Sequence, residues 1–197
     1  VGLTQSGAGT GVLSGVNTYT GINTISAGIL QISQDRNLGA VPASVTANSI
    51  TFNGGTLEIT SGFTLSTNRG ITLSTGGGTI LVDAGQTLTY GGVITGTGNL
   101  TKSGTGILSL SGTNTYNGNT AINAGTIAIT NGSALGGSSS GQGTTVASGA
   151  TLGISGGITA AEPITISGTG ASGGAINFTG GNNTYSGSIT LAADSTI

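Results

Sequence analysis

The feature that most constrains this 197-residue chain is a stretch that occurs twice, 97 positions apart. Residues 3–21 and 100–118 both open with Leu-Thr, place Gly at the fifth position and end in Asn-Thr-Tyr-x-Gly. The same ending returns once more at residues 183–187. Self-similarity at a fixed period is typical of repeat architectures. The chain is therefore predicted to be one continuous unit, residues 1–197, with related halves at about 3–97 and 100–197.

The composition favours strands over helices and over disorder. Glycine supplies 41 residues and only 4% of the residues are charged, and glycine is about 1 kcal/mol less favourable than alanine inside a helix. Disordered chains are poor in apolar residues and usually strongly charged, whereas this chain is 35% hydrophobic with a net charge of −2. We expect an all-β fold with a thin core of Ile, Leu and Val.

A shorter pattern recurs within the long period. A glycine turn is followed by two apolar residues separated by one other, and the first apolar residue of each instance stands at positions 30, 57, 80, 108, 127, 152 and 176. The first four gaps span 97 positions, so the long period is predicted to be four irregular turns. Such short strands bury an apolar side only by stacking on a neighbouring turn. The pattern predicts a parallel β-helix of roughly eight rungs, about 40 Å long.

Alternation within the strands sets which side chains face the core. Leu57 and Ile59 are predicted to point inward over Ile80 and Val82 of the next rung, while Glu58 points to water.

Two polar stretches, at 34–44 and 136–144, each follow the strand after an Ala-Gly pair. They are predicted to be longer loops that leave the rod.

Several functional classes are excluded by residue types. The chain has no Cys, His, Met or Trp, which removes disulfide frameworks, thiolate chemistry and imidazole metal sites. Three basic residues give no electrostatic footprint for nucleic acid, and no apolar run reaches the ~18 residues of a membrane span. Calcium binding by Asp83 or Asp194 lacks the clustered oxygens that this ion needs. We expect no metal and no membrane insertion in this segment.

Two nucleotide-binding patterns are weak. Lys102-Ser103 resembles the end of a phosphate loop, but Thr101 stands where the loop needs glycine. A G-x-G-x-x-G match covers 168–173, and another strand follows where a helix is required. No cofactor is expected, and Lys102 is interpreted as a solvated surface side chain that disfavours edge aggregation.

The strongest enzymatic alternative is a carbohydrate-active β-helix, a glycoside hydrolase or lyase. Glu58 and Asp83 are 25 positions apart, one rung plus two residues. This spacing could bring them to adjacent rungs on one outer side, at the separation that a two-carboxylate mechanism uses. Few aromatic or basic groups lie near them in the sequence, so the chain is predicted not to be an enzyme.

The recurring tyrosines could form a stacking platform for a ligand, but a structural role is preferred. A tyrosine between Asn and Gly is expected to cover a corner of the solenoid, with the Asn side chain bonding backbone amides. These structural motif residues are Asn17, Tyr19 and Gly21; Asn114, Tyr116 and Gly118; Asn183, Tyr185 and Gly187.

Ice binding through threonine arrays would need Thr-x-Thr on successive rungs. Only 87–89 followed by 113–115 provides two such steps.

Residues 98–127 resemble the autotransporter-associated β-strand repeat, also called the passenger-associated transport repeat. The resemblance rests on Leu-Thr-Lys-x-Gly, Leu-x-Leu-x-Gly, Asn-x-Tyr-x-Gly and Ala-Gly-Thr-Leu, with Ile127 for the last Leu and Gln5 for Lys102 in the first copy. Clear motifs cover about a third of the chain. The resemblance implies a right-handed β-helical stalk or fibre of a bacterial surface or secreted protein, serving adhesion, display or filament formation. It also implies that the repeat aids export. The presence of Gln5 in place of the expected lysine would then affect export more than it affects the fold.

The chain starts inside the opening of the repeat and stops just after a strand-like run. Solenoids close their apolar stack with caps. We therefore expect both end rungs to be covered by further repeats of the same polypeptide or by identical subunits stacked end to end. A host surface or a glycan is a further possible partner.

Overall fold

The computed structural model describes residues 1–137, 141–171 and 173–197. Over these residues the fold is all-β, with one short 3-10 helix and no α-helix. The strands are, in chain order, β1 (Leu3–Gln5), β2 (Thr10–Leu13), β3 (Asn23–Ile25), β4 (Ile29–Ile32), β5 (Thr46–Phe52), β6 (Thr56–Ile59), β7 (Phe63–Leu65), β8 (Arg69–Leu73), β9 (Gly78–Val82), β10 (Thr87–Tyr90), β11 (Ile94–Gly96), β12 (Leu100–Ser103), β13 (Ile107–Leu110), β14 (Thr120–Ile122), β15 (Thr126–Ile129), β16 (Thr144–Val146), β17 (Thr151–Ile154), β18 (Thr159–Ala160), β19 (Ile164–Ile166), β20 (Ile176–Phe178), β21 (Thr184–Tyr185) and β22 (Ile189–Leu191).

Three parallel sheets form the faces of the molecule. Face 1 has the order β1-β3-β5-β8-β11, face 2 the order β2-β4-β6-β9-β12-β14-β16-β19-β22, and face 3 the order β7-β10-β13-β15-β17-β20. A further pair, β18 with β21, precedes face 2 in the last turns. Each strand pairs with its counterpart one turn away, so the chain winds as a β-solenoid. Face 2 has nine strands, and eight turns of the chain lie between the first and the last of them. This confirms the predicted fold and the predicted number of rungs.

The strand register confirms the predicted alternation. Leu57 pairs with Ile80 and Ile59 with Val82, and all four side chains are buried. Glu58 is half-buried on the outer side of the same strand. The inward Ile, Leu and Val side chains form one continuous core along the described solenoid, and burying each contributes about 1.5–3 kcal/mol.

The structure corrects the interpretation of the 97-residue period. The first copy places β1 and β2 on faces 1 and 2, whereas the second places the equivalent β12 and β13 on faces 2 and 3. The period is therefore four turns plus one face, and the prediction of four turns is wrong. Ile80 pairs with Lys102, not with Leu108, which pairs with Leu88 on face 3. The spacing of glycine turns did not distinguish one face from the next.

The stretch at 34–44 only partly leaves the rod. It contains the 3-10 helix η1 (Asp35–Leu38), in which Asn37 and Leu38 are buried. The prediction of an outward loop is therefore wrong for this part, because a leucine and a hydrogen-bonded asparagine fix it to the core. In the counterpart at 136–144, Gly137 donates its amide hydrogen to the Tyr116 carbonyl at 2.9 Å, and residues 138–140 lie outside the described residues.

Candidate functional site

The second motif copy joins three successive turns at one corner. Asn114 Oδ1 accepts the amide hydrogen of Ile94 at 2.8 Å, and its Nδ2 donates to the carbonyl of Ala134 at 2.6 Å. Tyr116 is fully buried, and its hydroxyl lies 2.6 Å from Thr120 Oγ1. Because this ring has no exposed face, it cannot serve as a platform for a ligand.

The first copy uses the same residues, but its asparagine side chain makes one hydrogen bond where Asn114 makes two. Asn17 Nδ2 donates to the Asn37 carbonyl at 2.7 Å, and the Tyr19 hydroxyl donates to Asn23 Oδ1 at 2.7 Å. Asn23 stands four residues after its tyrosine, as Thr120 does in the second copy. In both copies the tyrosine hydroxyl thus bonds the residue four positions further on, while the asparagine side chain bonds backbone groups 20 residues away in adjacent turns.

The third copy lacks that local partner. Asn183 Oδ1 accepts the amide hydrogens of Gly157 and Ile158 at 2.8 and 3.1 Å. Four residues after Tyr185 stands Ile189, which has no polar group, and the Tyr185 hydroxyl instead donates to the backbone carbonyl of Glu162.

Glycine is required beside each of the first two tyrosines. Gly39 and Gly136 have φ values of 87° and 99°, and a Cβ on either would lie 2.9 Å from a carbon of the Tyr19 or Tyr116 ring. The motif glycines serve a different purpose, since a Cβ on any of them would overlap backbone atoms of an adjacent turn. These are Gly21, Gly118 and Gly187. The nine motif residues lie at three corners and are engaged in packing the turns against one another.

Lys102 departs from its predicted solvated position. Its side chain is 0% exposed, and Nζ donates to the carbonyls of Ser103 and Gly104, both at 2.7 Å, and of Ala124 at 3.3 Å. Burial lowers the pKa of Lys102 from 10.5 to about 8. The prediction of a surface lysine is wrong because the three carbonyls of the face 2 to face 3 corner satisfy the ammonium group inside the solenoid.

Gln5 occupies the same place in the first copy and fills the same role. Its Nε2 donates to the carbonyls of Gly7 at 2.9 Å and Gly9 at 3.2 Å. Lys102 and Gln5 therefore both supply nitrogen donors to a glycine corner, which assigns this position a role in the fold.

Arg69 is a structural residue that no sequence pattern indicates. Arg69 is buried, and its Nε donates to Asp35 Oδ1 at 2.8 Å. Its Nη atoms donate to the carbonyls of Leu38 at 3.1 Å and Gly39 at 2.7 Å. It thereby holds η1 against the solenoid, beside a cavity of ≈ 430 Å³. Asp35 and Arg69 are 34 residues apart, and no motif in the sequence links the two positions.

Glu58 and Asp83 are on adjacent rungs, as their spacing predicts. Glu58 pairs with Leu81, two residues before Asp83, and its Oε2 accepts a hydrogen bond from Gln31 Nε2 at 3.0 Å. Among the described residues, no group of three or more Asp or Glu side chains could hold a metal ion. That part of the chain also contains no helix long and apolar enough to cross a membrane.

The predicted threonine steps do not align. Residues 113–115 lie outside the strands, and Thr89 pairs with Ser109. Another column is present on face 1, where successive rungs carry Thr4, Thr24, Thr51, Thr72 and Thr95. The hydroxyls of the last two lie 3.3 Å apart, and cross-strand threonine pairs of this kind stabilise sheets.

The glycine pattern at 168–173 is followed by Gly174 and then β20, so no helix is present after it to hold a phosphate. One of its residues, at position 172, lies outside the described residues.

The family described as passenger-associated-transport-repeat matches residues 3–32 and 100–129, the segments that hold β1–β4 and β12–β15. Two segments of the chain are thus similar to this repeat. The match confirms the resemblance drawn from the motifs. Seventy-four aligned residues are 39% identical to the Adhesin BmaC autotransporter of Brucella suis biovar 1 (strain 1330), covering 32% of this chain and 2% of that relative. No solved structure matches the chain.

Proposed function

We propose that this chain is a structural segment of a bacterial surface or secreted passenger, a β-helical stalk that displays or adheres and catalyses no reaction. The observation that carries the proposal is the continuity of face 2, whose nine strands run through both transport repeats without interruption. A continuous parallel stack of turns favours a rigid spacer. The similarity to an autotransporter adhesin supports a surface location and adhesion.

The use of the motif side chains supports a structural role. Asn114, Tyr116 and Lys102 are all buried and hydrogen-bonded within the corners, which leaves them unavailable to a ligand. Repeats of this kind provide length and an outer surface, so any adhesive contact is proposed to lie on the faces.

An export and adhesion experiment tests the proposal. Residues 1–197 would be placed between an export signal and an outer-membrane anchor, and surface protein would be measured by protease accessibility on intact cells. We expect efficient display and increased attachment of the cells to host-cell layers or immobilised glycans. Display that is unchanged when residues 100–129 are replaced by an unrelated sequence would contradict the proposed role of the repeat in export.

The absence of catalysis is tested separately. Purified chain is expected to release no reducing or unsaturated sugars from a glycan panel, and the double variant Glu58→Gln, Asp83→Asn should bind and melt like the wild type. Sugar release that is lost in this variant would establish the carbohydrate-active alternative.

We also propose that further rungs are the partners of the first and last turns, supplied by the same polypeptide or by identical subunits. Among the described strands, β2 and β22 pair on one side only, and an unpaired edge is a template for another strand. Light scattering of the purified chain at increasing concentration is expected to show axial assembly. A monomer at all concentrations would contradict stacking of identical subunits.

A further inference from the structure

Glu162 is a buried carboxyl group that neither the motifs nor the proposed function uses. It stands between β18 and β19 and is 5% exposed. Its Oε1 accepts a hydrogen bond from Thr144 Oγ1 at 3.1 Å, while Oε2 is buried with no hydrogen-bond partner among the described residues. A buried carboxylate without full pairing is costly, so this group is expected to favour its neutral form.

The segment around Glu162 also holds the third motif copy. The Tyr185 hydroxyl bonds the Glu162 carbonyl, and the amide hydrogen of Ser186 bonds the carbonyl of Ala160 at 2.8 Å. A Cβ on Gly187 would overlap the same Glu162 carbonyl, so the backbones are in close contact. Displacing Glu162 would therefore disturb the attachment of β21.

Among the described residues, no positive charge is paired with this carboxyl. The titratable groups that face it are the phenols of Tyr116 and Tyr185, which are neutral at ordinary pH. Thr144 contributes one hydrogen bond and favours the ionised form, but burial dominates and raises the pKa of Glu162 from 4.5 to about 7. Beside it lies a cavity of ≈ 370 Å³ that is lined by Glu162 together with small residues, which leaves space for the side chain to move.

We propose that Glu162 is an acid-closed latch: the neutral carboxyl lets β18 and β21 stay paired, and the ionised carboxyl loosens this pair and the third motif. The sign follows from the environment. The closed state holds the proton more tightly than the opened state, in which the carboxyl meets water. The closed population is therefore largest in acid, falls as the pH rises from about 4.5 to about 7, and changes little above that.

Amide hydrogen exchange of the full chain tests the latch. The protection factors of Thr184 and Ser186, corrected for intrinsic exchange, are expected to fall by roughly 50- to 100-fold between about pH 5 and about pH 8, the factor that the raised pKa implies. The amides of Thr79 and Asp83, bonded to turns far from Glu162, are expected to change by less than about threefold over the same interval.

Two variants separate the latch from general effects of pH. Glu162→Gln keeps the size and removes the charge, so protection at Thr184 should become independent of pH. Glu58→Gln removes an outward carboxylate and should leave the wild-type dependence intact. Dependence that survives in Glu162→Gln, or that is lost in Glu58→Gln, overturns the proposal.

If Glu162→Gln does not fold, the wild-type carboxyl can be observed directly by carbon NMR. Titration of Glu162 near neutral pH, together with the loss of protection at Thr184 and Ser186, supports the latch. Titration below about pH 5, or protection that does not change with pH, overturns it.

Discussion

The two segments that match the transport repeat are identical at 16 of 30 positions and have different surroundings. In the second copy, β12 pairs with β9 and β14, and β13 pairs with β10 and β15. In the first copy, β1 pairs only with β3 and β2 only with β4 among the described strands. Leu100, Leu110 and Tyr116 of the second copy are accordingly buried, whereas their counterparts in the first copy are half-buried. These counterparts are Leu3, Leu13 and Tyr19.

This difference shows which properties belong to the repeat and which to its place in the stack. Both copies form four strands, a glycine corner with a nitrogen donor, and an Asn-Tyr-Gly corner. The faces differ, however, because β1 lies on face 1 and β12 on face 2. The repeat therefore specifies a local path over two faces, and the number of residues in the intervening turns decides which faces these are.

The largest difference between the copies is expected for their inward leucines. Leu110 is fully buried, whereas its counterpart Leu13 only partly packs on the core. Leu110→Ala should lower the free energy of unfolding by about 2–5 kcal/mol, because it leaves a cavity in a close-packed stack. Leu13→Ala should cost about 1 kcal/mol, since less area is lost. Urea unfolding of both variants measures the difference, and equal losses would mean that the two copies are equally buried in solution.

The asparagines should give the next largest difference. Asn114→Ala removes the partners of the Ile94 amide and the Ala134 carbonyl, and is expected to cost about 2–4 kcal/mol. Asn17 donates one side-chain bond, to Asn37, so Asn17→Ala should cost about 1 kcal/mol. Thermal melts of the two variants give the comparison. A larger loss for Asn17→Ala would contradict the bonding described for the two corners.

The sequence predicted the strands and the core of both copies because alternation and glycine turns are local signals. Leu57 over Ile80 was found from this alternation alone. The sequence did not predict that the second copy is shifted by one face. A turn with one strand more or fewer still shows the same pattern of glycine turns and alternating apolar residues.

The buried charges were missed for a related reason. Lys102, Arg69 and Glu162 look like surface residues by type, since Lys, Arg and Glu are seldom fully buried unless they are paired. The first two have partners that are mostly backbone carbonyls, which every residue carries, so no sequence pattern marks them. Only the winding of the solenoid brings those carbonyls together around the side chain.

A smaller effect is expected from the titration of Lys102. Its pKa in the folded chain is about 8, below the 10.5 of an exposed lysine. The unfolded chain therefore binds more protons between these values, and stability rises with pH in this window. From about pH 7 to about pH 9 the gain should be about 1 kcal/mol. Lys102→Gln should remove this gain, while changes at other groups remain in both proteins. Urea midpoints at the two pH values test it, and a gain that persists in Lys102→Gln would assign the titration to another group.

The smallest effect is expected for the reciprocal change, Gln5→Lys, in the first copy. Gln5 is half-buried, and the glycine corner that it bonds is exposed. A lysine there can donate to the same carbonyls while its ammonium group keeps contact with water. The change should therefore alter the unfolding free energy by less than about 0.5 kcal/mol and add no pH dependence near pH 8.

Gln5→Met is the matched control, because methionine fills a similar volume without hydrogen-bond donors and should cost about 1 kcal/mol. If Gln5→Lys were as destabilising as Gln5→Met, the lysine would not be reaching the corner carbonyls. The shared role of positions 5 and 102 as corner donors would then be wrong.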